Sequence, residues 1–101
     1  MITKKEAKEL TLEVWRYLRD HPDADKSDLP QELYSKIAKF INRCPLCEIF
    51  YELLIGCDKK CPLFCCYRNG EVYDRWSSEI DEDERQQAAA EIVERVEAWE
   101  V

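Results

Sequence analysis

Apolar residues recur along this chain at three- and four-residue steps in several separate stretches, the period of helices with one buried face. The first stretch runs through Ala7, Leu10, Val14 and Leu18, is widened by Thr11 and Trp15, and predicts an amphipathic helix over residues 4 to about 19. Thr3 followed by Glu6 is a capping-box start for it. His21-Pro22 ends it, because proline cannot continue the hydrogen-bond ladder and biases the preceding residue away from helical angles. His21 is the only histidine, and a place at a helix carboxyl end, where the dipole favours its charged form, is preferred for it over metal ligation or catalysis.

Residues 22 to 28, PDADKSD, read as a polar turn. Pro30 suits the first position of a second helix, with Asp28 or Leu29 just outside it. Leu33, Ile37, Phe40 and Ile41 form its buried stripe to about Asn42, and Tyr34 flanks the stripe. Residues 46 to 55 are apolar nearly all round apart from Glu48 and Glu52, and predict a short central helix with Gly56 as its left-handed cap. In residues 67 to 73, Asn69-Gly70 between strand-like flanks predicts a tight hairpin. Ser77 or Ser78 is the expected N-cap of a long last helix whose first turn holds Asp81 to Glu84. Its inner face is Ala88, Ala89, Ile92, Val93, Val96 and Trp99, and Glu91 pairs with Arg95 at i, i+4. This helix is expected to pack on the first. The sum is a mainly α fold, a small helical domain of three to four helices around a cysteine-rich metal-binding loop with a minimal β-hairpin. Residues 1–101 form a single domain, with the cysteine cluster at 44–66.

Composition supports order: 46% of residues are apolar and Gly and Pro total only six, a balance that suits an ordered, helix-rich globular protein except at its ends. A chain of 101 residues buries a modest core, so a bound metal would add usefully to stability. The start, MITKKEAKEL, is charged where a secretory signal is apolar, and no run approaches the ~18 apolar residues of a membrane span. The expectation is a cytoplasmic protein with no membrane partner. The formal charge of −7 resides wholly in residues 79 to 101, where nine acids face only Arg85 and Arg95, and residues 1 to 78 are neutral. Such a balance repels a phosphate backbone, so no direct nucleic-acid binding is expected. A helix-turn-helix reading of the first two helices is weak, since the second offers only Lys36 and Lys39.

All six cysteines lie between Cys44 and Cys66. Confinement to one window argues against core filling, and a reducing compartment argues for metal over disulfides. Cys44-Pro-Leu-Cys47 has the two-residue spacing by which successive thiolates grip one ion. Cys57 and Cys61 complete the preferred set of four, and Cys65 or Cys66 is the alternative to Cys57. Adjacent cysteines seldom both bind one tetrahedral ion, so this pair supplies one ligand at most. Zinc is preferred to an iron-sulfur cluster, because the spacings match neither standard ferredoxin pattern. Paired histidines, a phosphate-cradling glycine loop and a nucleophile elbow are absent from the sequence, so an enzyme is not expected. Tyr73-Asp74-Arg75-Trp76 suggests a recognition patch, but an aromatic lid packed over the metal loop is the preferred reading.

Cys44-Pro-Leu-Cys47, Cys61-Pro62-Leu63, a further cysteine at 65 or 66 and the Tyr73…Trp76 tail resemble a loose group of small, uncharacterised cysteine-cluster proteins of phages, prophages and bacteria. The likeness covers roughly residues 44 to 76. It implies zinc binding and names no activity. In that pattern two residues commonly separate the Cys-Pro pair from the cysteine before it, whereas three residues separate Cys57 from Cys61.

The leading expectation is therefore a non-enzymatic, zinc-stabilised small domain mediating macromolecular interaction, with a protein as partner. One alternative is an acidic phage-type host-directed inhibitor or nucleic-acid mimic. Another is a thiol-disulfide redox protein using Cys44 and Cys47.

Overall fold

Two helices of equal length carry the architecture. In a computed structural model that describes residues 2–40, 43–52, 56–57, 60–63, 68 and 70–101, they are α1 (Lys4–Asp20) and α5 (Glu82–Ala98). Between them lie a 3-10 turn, η1 (Lys26–Asp28), then α2 (Gln31–Ile37), α3 (Pro45–Phe50), the two-residue strands β1 (Tyr51–Glu52) and β2 (Gly56–Cys57), and α4 (Val72–Ser78). The protein is mainly helical. No helix among the described residues is long and apolar enough to cross a membrane.

The start of α1 follows its local chemistry. Thr3 Oγ1 accepts from the Glu6 N–H at 3.1 Å, and Glu6 Oε1 accepts from the Thr3 N–H at 3.4 Å, so two otherwise orphaned donors are satisfied reciprocally. The helix ends at His21, whose N–H donates to the Tyr17 carbonyl at 2.9 Å. Its ring stacks on Tyr17 with centroids 4.0 Å apart, and its Nδ1 lies 2.8 Å from the same carbonyl. His21 thus serves the helix end, as its position suggests.

The pairing of α1 with α5 is the most extensive among the described elements. Ala7, Thr11, Val14 and Leu18 of α1 are buried, as are Ala88, Ala89, Ile92, Val93 and Val96 of α5. Each fully buried Leu, Ile or Val contributes about 1.5–3 kcal/mol of transfer free energy, which makes this seam the main source of cohesion. The helices run antiparallel. Lys8 Nζ donates to the Glu97 and Trp99 carbonyls at 3.1 and 2.5 Å, Arg16 pairs with Glu97 at 2.9 Å, and Gln86 Nε2 donates to the Arg19 carbonyl at 2.9 Å. Lys8 therefore places a cation where α5 exposes its last carbonyls, the favourable end of the helix dipole.

Four expectations are corrected. The segment after Gly70 is helical, not a hairpin: Val72 and Trp76, one helical turn apart, are both buried, and the 3.6-residue period prevails over strand propensity. The turn itself exists, with Gly70 at φ +85° and its N–H donating to Asp74 Oδ2 at 3.0 Å, while Tyr67 and Asn69 lie outside the described residues. The central helix stops at Phe50, where Tyr51 turns to extended angles, and residues 53–55 lie outside the description. Gly56 pairs with Glu52 in a short antiparallel ladder instead of capping a helix. Asp81, not Ser77 or Ser78, caps α5: its carboxylate accepts from the Asp83 and Glu84 N–H groups at 2.8 and 3.3 Å, whereas both serines close α4 by donating to the Asp74 carbonyl.

The second helix is also shorter than its apolar stripe implies. Pro30 stands at its N-cap, the helix ends at Ile37, and Ile41 and Asn42 lie outside the described residues. Leu33 and Ile37 are buried, with Tyr34 and Phe40 packed at the margin.

Candidate functional site

Pro45 opens α3, where its missing N–H costs nothing, and this places Cys44 at the N-cap with φ −131° and ψ 115°. Cys47 follows one turn later on the same face, its N–H donating to the Cys44 carbonyl at 3.1 Å. The two thiols therefore meet at the opening turn of α3. Cys44 is partly buried, and its pKa is lowered to about 6. The largest cause is a hydrogen bond from the Cys47 side chain. Burial opposes it, and the Lys26 ammonium and the backbone N–H groups of Cys47 and Leu46 add to it.

Cys61 is a buried thiol belonging to the same apolar cluster as Leu46 and Phe50. Cys57 has its backbone in β2, opposite Tyr51, and its side chain lies outside the description. Cys65 and Cys66 lie outside the described residues altogether. Among the described residues no three cysteine, histidine or carboxylate side chains converge as a metal-binding group. What the structure brings together is the Cys44–Cys47 pair.

Lys26 is the component that sequence reasoning missed. It sits in a segment that reads as a solvated turn, yet it is only 4% exposed. Its ammonium lies 4.9 Å from the Tyr73 ring centroid, 5.5 Å from that of Trp15, and 3.5 Å from the Arg43 carbonyl oxygen. Contact with aromatic faces offsets part of the desolvation of such a group. Two features fix the turn that carries it. Asp28 Oδ2 accepts from the Asp25 N–H at 2.9 Å, and Arg85 donates to Asp25 Oδ1 at 2.9 Å. Nothing local in PDADKSD marks Lys26 for burial, since its cage is built by residues far away in the chain.

The Tyr73–Trp76 segment is internal packing. Trp76 is buried edge-on against Trp15, Tyr73 covers Lys26, and Arg75 pairs with Glu91, whose carboxyl it holds below the ordinary carboxylate range. Arg85 is a second component that the sequence conceals. Its guanidinium lies over the Trp76 ring at 4.7 Å and donates to the carbonyls of Pro22, Ala24 and Trp76 at 3.0–3.2 Å, joining the η1 segment to α4 and α5. A separate cleft of about 570 Å³ between α1 and α2, with Glu9, Glu13, Lys36 and Phe40 among its walls, is lined by no cysteine among the described residues. Comparison with known proteins gives no match to this chain among protein-family models, curated proteins or solved structures.

Proposed function

We propose that this protein is a non-enzymatic, zinc-stabilised small domain that works by binding a protein partner. Cys44, Cys47 and Cys61 supply three thiolates, and Cys57 or one of Cys65 and Cys66 supplies the fourth. The observation that carries the reading is the Cys44–Cys47 pair at the first turn of α3, with Cys44 held towards the thiolate that a soft divalent ion requires. Zinc suits an all-sulfur set of this spacing better than an iron-sulfur cluster. Bound there, the ion would tie α3 to the segment around Cys61 and supply folding free energy to a modest core.

Elemental analysis of protein purified without chelator tests the reading. One zinc per chain is expected, lost in Cys44→Ser and Cys47→Ser, and single serine variants at Cys57, Cys61, Cys65 and Cys66 identify the remaining ligands. Absence of stoichiometric zinc and iron would sink it. A circular-dichroism melt that chelator leaves unmoved would demote the ion to an incidental one.

The same thiol pair favours a second reading, thiol-disulfide exchange at Cys44 and Cys47, because a depressed thiol pKa in a two-residue spacing is what such chemistry uses. The described segment ahead of Cys44 holds α2 and a left-handed Arg43, however, not the strand of a thioredoxin-like unit, and this favours the metal. Failure of the metal-free protein to reduce a model disulfide would remove the redox reading. Nucleic-acid mimicry rests on the exposed acids Glu82, Asp83 and Glu84 of α5, which the helix dipole already explains.

A further inference from the structure

Lys26 is the one charged side chain buried among the described residues, and lysine is rarely buried unless something anionic or aromatic receives it. Here the faces of Trp15 and Tyr73 receive part of the charge, and the ammonium is directed to the Arg43 carbonyl. That carbonyl belongs to the peptide unit whose nitrogen is that of Cys44. Arg43 itself stands at φ 52°, a left-handed conformation that residues with a side chain seldom adopt. Lys26 thus braces the backbone at the step that delivers Cys44 to α3, and it brings a positive charge to the half-site.

We propose that Lys26 is a positioning residue of a thiolate metal centre, holding the peptide ahead of Cys44 in its left-handed turn and offsetting the negative charge that thiolate ligands leave on the site. The inference rests on the metal-binding reading of Cys44 and Cys47. Four thiolates on one divalent cation leave a charge of about −2, and in partly buried surroundings a fixed cation lowers the cost of assembling them. The cage is itself held by contacts on both sides. Trp15 and Tyr73 meet edge to face with centroids 6.1 Å apart, and the turn bearing Lys26 is tied through Asp25 to Arg85. The partners of metal ligands, not only the ligands, set affinity, and losing one commonly weakens binding about 10- to 100-fold.

The test measures zinc affinity by competition with a chromophoric chelator for the wild type, Lys26→Met and Lys26→Arg, beside thermal melts of the metal-free proteins. Methionine, one atom shorter, fills most of the space of the side chain between the two rings while removing the charge. The expected result is a loss of about tenfold or more in zinc affinity for Lys26→Met with little change in the metal-free melt, and substantial recovery in Lys26→Arg. Equal affinity in the wild type and Lys26→Met would overturn the proposal. Should Lys26→Met fail to fold, the nitrogen resonance of the Lys26 ammonium in the wild type decides: a shift on loading with zinc supports the role, and an unchanged signal in zinc-loaded protein refutes it. A wild type that takes up no zinc fails at the first measurement, which separates loss of the metal reading from loss of this one.

Discussion

Trp15 and Trp76, 61 positions apart in the chain, meet edge to face with ring centroids 4.9 Å apart. Both are buried, and the Trp76 indole N–H has no hydrogen-bond partner among the described residues. Trp76 therefore contributes through volume and ring contact, not through its polar edge. Trp76→Ala is expected to cost about 3–5 kcal/mol and Trp76→Phe about 1–2 kcal/mol, read by urea denaturation. A phenylalanine variant as unstable as the alanine variant would show that the indole N–H carries more than its geometry indicates.

Thr11 presents a related case. Its hydroxyl oxygen is fully buried in the α1–α5 seam, with no hydrogen-bond partner among the described residues. Thr11→Val keeps the shape and removes the unsatisfied group, so the variant is expected to gain about 0.5–1 kcal/mol in chemical denaturation. Destabilisation instead would point to a partner for the hydroxyl.

The two candidate caps of α5 separate cleanly by mutation. Asp81→Ala removes an acceptor from two N–H groups and is expected to cost about 1 kcal/mol, whereas Ser78→Ala leaves the start of α5 intact and costs less than half of that. Thermal melts of the two variants compare them directly. Equal losses would return Ser78 to the role that its place in the sequence suggests.

The lowered pKa of Cys44 has a defined pH signature in the metal-free protein. Alkylation of Cys44 is expected to reach half its limiting rate near pH 6, where an ordinary thiol would do so near 9. Because the folded state holds the thiolate below the pKa of the unfolded chain, stability rises as pH increases from about 6 to about 9, by up to ~1.4 kcal/mol per unit. That contribution is complete above the unfolded value and is lost as pH falls through the folded one. A half-point near 9 by mass-spectrometric alkylation would remove the support that this thiol gives to both metal and redox readings.

The long helices were legible because the forces behind them are local. Thr3 with Glu6, the stripe through Ala7, Val14 and Leu18, and the Glu91–Arg95 pair, observed at 2.8 Å, all act within a turn or two of chain. The Val72–Ser78 helix was obscured because Asn-Gly is a strong hairpin signal, and only the burial of Val72 and Trp76 against α5 and α1 reveals the other period. Cys44 and Cys47 could be found from spacing. Lys26 and Arg85 could not: a lysine within PDADKSD and an arginine after four acids read as solvent-facing, and their burial depends on Trp15, Tyr73 and Trp76 arriving from elsewhere. The fourth ligand of the proposed metal set was equally beyond spacing, since Cys57, Cys65 and Cys66 offer overlapping choices.

The docking of α1 on α5 also sets an order of events in time. The main apolar seam joins segments separated by about sixty residues, so it forms only after a long loop has closed, a step whose entropic cost is met before any packing is gained. Whatever tethers the intervening chain early shortens that loop, and the local Asp25–Asp28 turn and the cysteines both lie within that stretch. A cross-link within residues 44 to 61 would then appear as faster refolding as well as greater stability.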